Sequence, residues 1–186
     1  CFRYQVTGDE QAKKNAKRAV EAMIKLTEVT GREGFTARAT RYSHEENFGD
    51  GNREEWHVCE DNPDCEWLGE TSSDEMTGHY FAYGIYFDLV ADDEEKKKIA
   101  SVVKKITDHI IDHNFHLTDV DGIPTTWANW EPDLLNNDDR WYYERGTNSL
   151  EILSFLKTTY HVTGDEKYEK VYEMLIKKHH YAMNLI

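Results

Sequence analysis

The chain of 186 residues has three cysteines, three prolines and eleven glycines. So few prolines and glycines exclude collagen-like and low-complexity architectures. No apolar run approaches the roughly 18 residues of a membrane span. The first twenty residues are polar and lysine-bearing, without the apolar core of a signal peptide. Basic residues are outnumbered 36 to 22, for a net charge of −14. That balance weighs against nucleic acid and anionic membrane surfaces as partners. With 39% apolar residues the chain is too hydrophobic for disorder, and its length fits one domain.

The acidity is concentrated. The stretches 31–73 and 115–147 carry 6 basic and 18 acidic residues, while the remainder is almost balanced. All fourteen lysines lie outside these stretches, and all five tryptophans (Trp56, Trp67, Trp127, Trp130 and Trp141) lie inside. Large loops also need aromatic side chains for small cores of their own.

Apolar periodicity and capping residues predict helices over roughly 9–29, 73–91, 93–114, 148–162 and 165–184. Ser72 and Glu75 have the spacing of a capping box, and Asn148 is the expected N-cap of the fourth helix. The first, third and fifth helices are amphipathic and rich in lysine. The second and fourth are nearly apolar all round, which predicts burial on all sides. Short connections pair the second helix with the third and the fourth with the fifth as antiparallel hairpins. The long stretches are then outer-to-inner returns on one face. The expected fold is all-α, alternating inner and outer antiparallel helices with two long loops on that face.

Tyr4-Gln-Val-Thr-Gly-Asp-Glu-Gln recurs as Tyr160-His-Val-Thr-Gly-Asp-Glu-Lys. In each copy the glycine stops one helix and the aspartate starts the next. Cys1-Phe-Arg-Tyr thus reads as the last turn of a further inner helix, giving two and a half hairpins in a single helical domain over 1–186.

The repeated turn resembles that of the six-hairpin (α/α)-toroid carbohydrate enzymes, which include glycoside hydrolases, polysaccharide lyases and sugar epimerases. Gly69-Glu-Thr-Ser-Ser-Asp-Glu-Met-Thr-Gly-His-Tyr-Phe-Ala-Tyr and Glu144-Arg-Gly-Thr-Asn-Ser-Leu are similar to segments of uncharacterised toroid proteins from polysaccharide-degrading bacteria. The resemblance implies a partial toroid, with a homodimer or the remainder of a longer chain as partner. It also implies a substrate funnel at the N-terminal ends of the inner helices, a carbohydrate substrate and no cofactor. Glycoside hydrolysis is the leading activity, with a lyase or epimerase second and a non-catalytic scaffold or sugar-binding module as the rival.

The candidate residues follow from that chemistry. Glycoside hydrolysis needs one protonated and one ionised carboxyl, for which Asp74, Glu75 and Glu144 are candidates. Acidic residues in a helix's first turn also simply stabilise the helix. His79 sits one turn inside the second helix with Tyr83 on the same face. That pair is read either as a hydrogen-bonded core or as lyase proton-transfer groups. Arg38, Arg41 and Arg145 suit a uronate carboxylate. Trp56, Trp67, Trp127 and Trp130 suit stacking on sugar rings, and Asn148 is placed with the substrate-binding set.

Metal signals are weak. Asp119-Val-Asp121-Gly122 reads as a hairpin turn rather than half a calcium loop. His109 and His113 read as a surface pair. Cys59 and Cys65 bracket five residues, as a small disulfide loop in an exported protein or as free thiols. The compartment leans towards secreted or periplasmic, in a bacterium.

Overall fold

The computed structural model describes residues 1–42 and 55–185; the part of the first acidic stretch over 43–54 lies outside them. The helices are α1 (Phe2–Thr7), α2 (Glu10–Glu28), α3 (Ser73–Leu89), α4 (Asp93–Asp112), α5 (Pro132–Asn137), α6 (Arg145–Thr163) and α7 (Glu166–Lys177). The strands are β1 (Ala39–Tyr42), β2 (Trp56–Cys59), β3 (Asn62–Leu68), β4 (His116–Thr118) and β5 (Pro124–Asn129).

The strands correct the all-α expectation and, with it, the partial ring of alternating helices. Both acidic stretches contain antiparallel sheet, a three-stranded one in the order β1-β3-β2 and the β4-β5 hairpin. The fold of the described residues mixes α and β. The strands are short, and their alternation is written in unusual residues. In β3 the inward positions are Cys65 and Trp67, separated by Glu66. Such a pattern hides among charges, whereas a Val/Ile run would have declared itself.

Sequence accounts for the helix ends. Gly8 and Gly164 take left-handed φ values of 67° and 69°. Asp9 and Asp165 then accept backbone N–H bonds at the starts of α2 and α7. The repeated octapeptide is thus one helix-stop, helix-start device used twice. The Ser72–Glu75 capping box forms at the start of α3. Asn148 does not cap α6, which begins at Arg145 with Glu144 at the N-cap. Instead its amide donates to the Asn129 carbonyl at 2.9 Å, tying α6 to β5. α7 stops at Lys177, and His180 turns the chain at φ 59° into a 3-10 turn over Tyr181–Leu185.

α3 and α6 are the central helices, each packed on the other and on α4. Tyr80 of α3 stacks on Phe155 of α6 with centroids 4.1 Å apart. The Tyr80 hydroxyl, Thr107 and Thr159 form a buried chain of 2.7 Å contacts that joins α3, α4 and α6. Amphipathic α2, α4 and α7 bury one stripe each, including Val20 and Ile24, Ile106 and Ile110, and Tyr168 and Leu175. The burial of α3 and α6 is incomplete on one flank, where Phe81 and Leu150 are exposed.

The two acidic stretches are tied to each other. Arg32 donates to the Asp119 carbonyl, the Glu70 N–H donates to Asp119 Oδ2 at 3.0 Å, and the Thr126 N–H donates to Glu70 Oε2 at 3.0 Å. Asp121-Gly122 forms the expected turn between β4 and β5, with Gly122 at φ 85°. Cys59 and Cys65 form a disulfide across the β2-β3 hairpin, with Cα atoms 5.3 Å apart.

Candidate active site

The N-terminal ends of α3 and α6 meet β5, and three acidic side chains there have different environments. Glu75 is spent on structure. Its Oε2 accepts the Ser72 N–H at 2.8 Å, and its Oε1 pairs with Arg38 at 2.9 Å. Asp74 is exposed, and the Ser72 hydroxyl donates to it. That bond is the main cause holding its carboxyl below the usual aspartate value; backbone N–H groups of the first helical turn and the Arg38 charge act in the same direction.

Glu151 is the opposite case. It lies on the second turn of α6, only 8% exposed. Burial raises its pKa above the ordinary glutamate value, and the negative charge of Asp74 raises it further. Hydrogen bonds from Trp130, Ser73 and Thr77 oppose the shift without cancelling it. The Trp130 indole N–H donates to Glu151 Oε2 at 3.0 Å and fixes the carboxyl. A neighbouring pair therefore divides into a carboxyl that favours its proton and one that favours its charge, which is how acid and base roles are separated in one site.

Sequence reasoning passed over Glu151. A signal was present: Glu151 is the one carboxylate within Leu150-Glu-Ile-Leu-Ser-Phe-Leu on a helix apolar all round. A charge in that setting must be buried and partnered, or neutralised.

Glu70 was also passed over. It is a non-glycine residue at φ 54°, a conformation costing roughly 1–3 kcal/mol. Asp119 holds it by accepting the Glu70 N–H, and its Oδ2 also fills the space beside Gly69.

The other candidates are distributed elsewhere. His79 and Tyr83 form a core pair, Nδ1 to hydroxyl 3.2 Å, with side chains 5% and 0% exposed. Burial lowers the His79 pKa to about 4 and pushes the Tyr83 phenol up. Trp130 is fully buried, with its indole N–H on Glu151. Arg41 bonds Glu66 through Nε and Nη2, both at 2.7 Å, and lies 3.9 Å over the Trp56 ring. Trp67 is 2% exposed, stacked on His57 at 4.4 Å beside an open groove of ≈ 680 Å³ that Arg32, Glu60 and Val120 also line. Glu144 and Arg145 stand at the entry to α6, where the Arg145 guanidinium lies 4.5 Å over Tyr142. Trp127, Tyr142 and Tyr143 are exposed.

The reading of His109 and His113 as a surface pair is corrected for His109. It is buried, with Nδ1 3.2 Å from the Glu33 carbonyl, and its Nε2 accepts the Thr118 N–H at 3.2 Å. Nε2 also lies 3.0 Å from the Thr118 carbonyl, and these contacts lash both acidic stretches to α4. Desolvation, reinforced by the charges of His113 and Arg32, lowers its pKa to about 4. Among the described residues no three His, Cys, Asp or Glu side chains converge to hold a metal ion. Among the described residues, too, no helix is long and apolar enough to cross a membrane.

Comparison with protein-family models, with curated protein sequences and with solved structures finds no match to this chain.

Proposed function

We propose that the protein is a carbohydrate-active hydrolase that cleaves glycosidic bonds at the N-terminal ends of α3 and α6. The observation that supports this most is the opposite displacement of two neighbouring carboxyls, Glu151 up and Asp74 down. In this reading Glu151 protonates the glycosidic oxygen as the bond breaks. Asp74, ionised, activates water or attacks the anomeric carbon. Trp130 positions the acid, while Arg38 and Ser72 keep Asp74 charged. The disulfide fits an exported protein acting on oligo- or polysaccharide outside the cytoplasm.

Proton abstraction beside a uronate, the lyase and epimerase chemistry, has less to draw on. His79 and Tyr83 are spent on each other in the core, and Arg38 and Arg41 are engaged by Glu75 and Glu66. A non-catalytic sugar-binding module is the second reading, favoured by the exposure of Trp127, Tyr142 and Tyr143.

The test is reducing-end release from a panel of neutral and acidic polysaccharides. Release by the native protein, reduced at least a hundredfold by Glu151→Gln and by Asp74→Asn, supports hydrolysis. Binding without release selects the module. Unsaturated products absorbing in the near ultraviolet select the lyase.

A further inference from the structure

We propose that Trp127 and Glu70 form a binding subsite for a neutral sugar residue beside the Asp74–Glu151 pair. This inference rests on the carbohydrate reading above and adds the subsite and the charge class of the ligand. Trp127 is 59% exposed, yet it sits on a rigid ribbon: Thr125, Ala128 and Trp130 around it are 1%, 0% and 0% exposed. The indole is therefore presented to solvent by a backbone that cannot fold it away. Glu70 lies in the turn that leads into α3, four residues before Asp74, and β5 packs against α3, which sets the subsite at the α3 end of the carboxyl pair.

The carboxylate is presented just as firmly. Glu70 holds its left-handed backbone between Asp119, which accepts its N–H, and Thr126, whose N–H binds its Oε2. Thr126 directly precedes Trp127. Glycine would hold this turn without strain, so the turn alone does not call for a carboxylate. An exposed aromatic ring with an acceptor anchored to the residue before it suits a pyranose, whose C–H face is apolar and whose rim carries hydroxyl donors.

The electrostatics select the sugar. Neither acidic stretch contains a lysine. Arg38 is neutralised by Glu75, and Arg145 lies against Tyr142. Glu70, Asp74 and Glu144 outnumber the one cation left among these residues, Arg145, so a uronate would be repelled and a neutral hexose or pentose accepted.

The experiment is titration of the full chain with cellohexaose, xylohexaose, mannohexaose and hexagalacturonate, followed by tryptophan fluorescence and calorimetry. It is performed on the Glu151→Gln variant so that turnover does not interfere. At least one neutral hexaose should bind with a change in emission, and hexagalacturonate should not. Trp127→Ala should weaken binding about tenfold, the scale of one good aromatic contact. Glu70→Gln and Glu70→Gly should each weaken it several-fold, the glycine variant melting no lower than its parent. Circular dichroism confirms that each variant is folded.

Binding unchanged in both Trp127→Ala and Glu70→Gly overturns the subsite, as does preference for hexagalacturonate or failure of every hexaose to bind. The two readings fail separately. Binding that depends on Trp127 in a protein that releases no reducing ends removes the hydrolase and keeps the subsite. Hydrolysis whose KM is indifferent to Trp127→Ala removes the subsite and keeps the hydrolase.

Discussion

Replacing Glu151 with alanine removes the acceptor of a fully buried indole. Trp130 is 0% exposed, and its N–H donates to Glu151 at 3.0 Å. An orphaned buried donor costs about 1–3 kcal/mol. At 186 residues each kcal/mol moves the melting midpoint by about 2–4 °C. Glu151→Ala should therefore melt about 2–12 °C below the native protein. Glu151→Gln keeps an oxygen for the indole and removes the ionisation. Because the folded pKa of Glu151 is raised, its stabilising contribution is complete below the unfolded value of about 4.5 and is lost as pH rises through the folded value. The melting difference between Glu151→Gln and the native protein should thus grow in favour of glutamine from pH 4 to pH 8. Scanning calorimetry of the three proteins across that range decides the matter. An alanine variant as stable as the native protein, or a glutamine difference flat in pH, would refute the reasoning.

Two further predictions concern stability. His79 and His109 have folded pKa values near 4 against 6.5 unfolded, so the folded state takes up its protons later. The stability they confer is complete above pH 6.5 and is lost as pH falls from 6.5 towards 4, by up to about 3 kcal/mol each; urea midpoints equal at pH 7 and pH 5 would contradict this. Reducing the Cys59–Cys65 bond, whose partners are six residues apart, should cost about 2 kcal/mol from loop-closure entropy. Thiol titration should count one thiol, Cys1, in native protein and three after reduction, and more than one before reduction would remove the bond.

Legibility followed the kind of signal each element carries. The long helices declared themselves by period and caps, and the Thr-Gly-Asp turn, the Asp121-Gly122 hairpin and the spacing of Cys59 and Cys65 each have a local physical cause. Such features need no knowledge of distant contacts. The sheets do. β1 pairs with β3 across some 25 residues, and its burial alternates only between intermediate and exposed. The tryptophans group by stretch in the sequence, but only tertiary contact decides that Trp130 and Trp67 are buried while Trp127 is exposed. Likewise the apolar run around Glu151 marks it as a charge that needs a partner, but the sequence does not say which partner it finds. Only the folded chain brings α3 and Trp130, just past β5, onto Glu151.

The division of labour between Asp74 and Glu151 is the central claim, and carboxyl carbon NMR titration of the two residues tests it most directly. Glu151 should titrate above the ordinary glutamate range and Asp74 below the ordinary aspartate range, with Asp74→Asn lowering the Glu151 midpoint as the repelling charge is removed. Two midpoints within the ordinary carboxyl range, or a Glu151 midpoint indifferent to Asp74→Asn, would contradict the account.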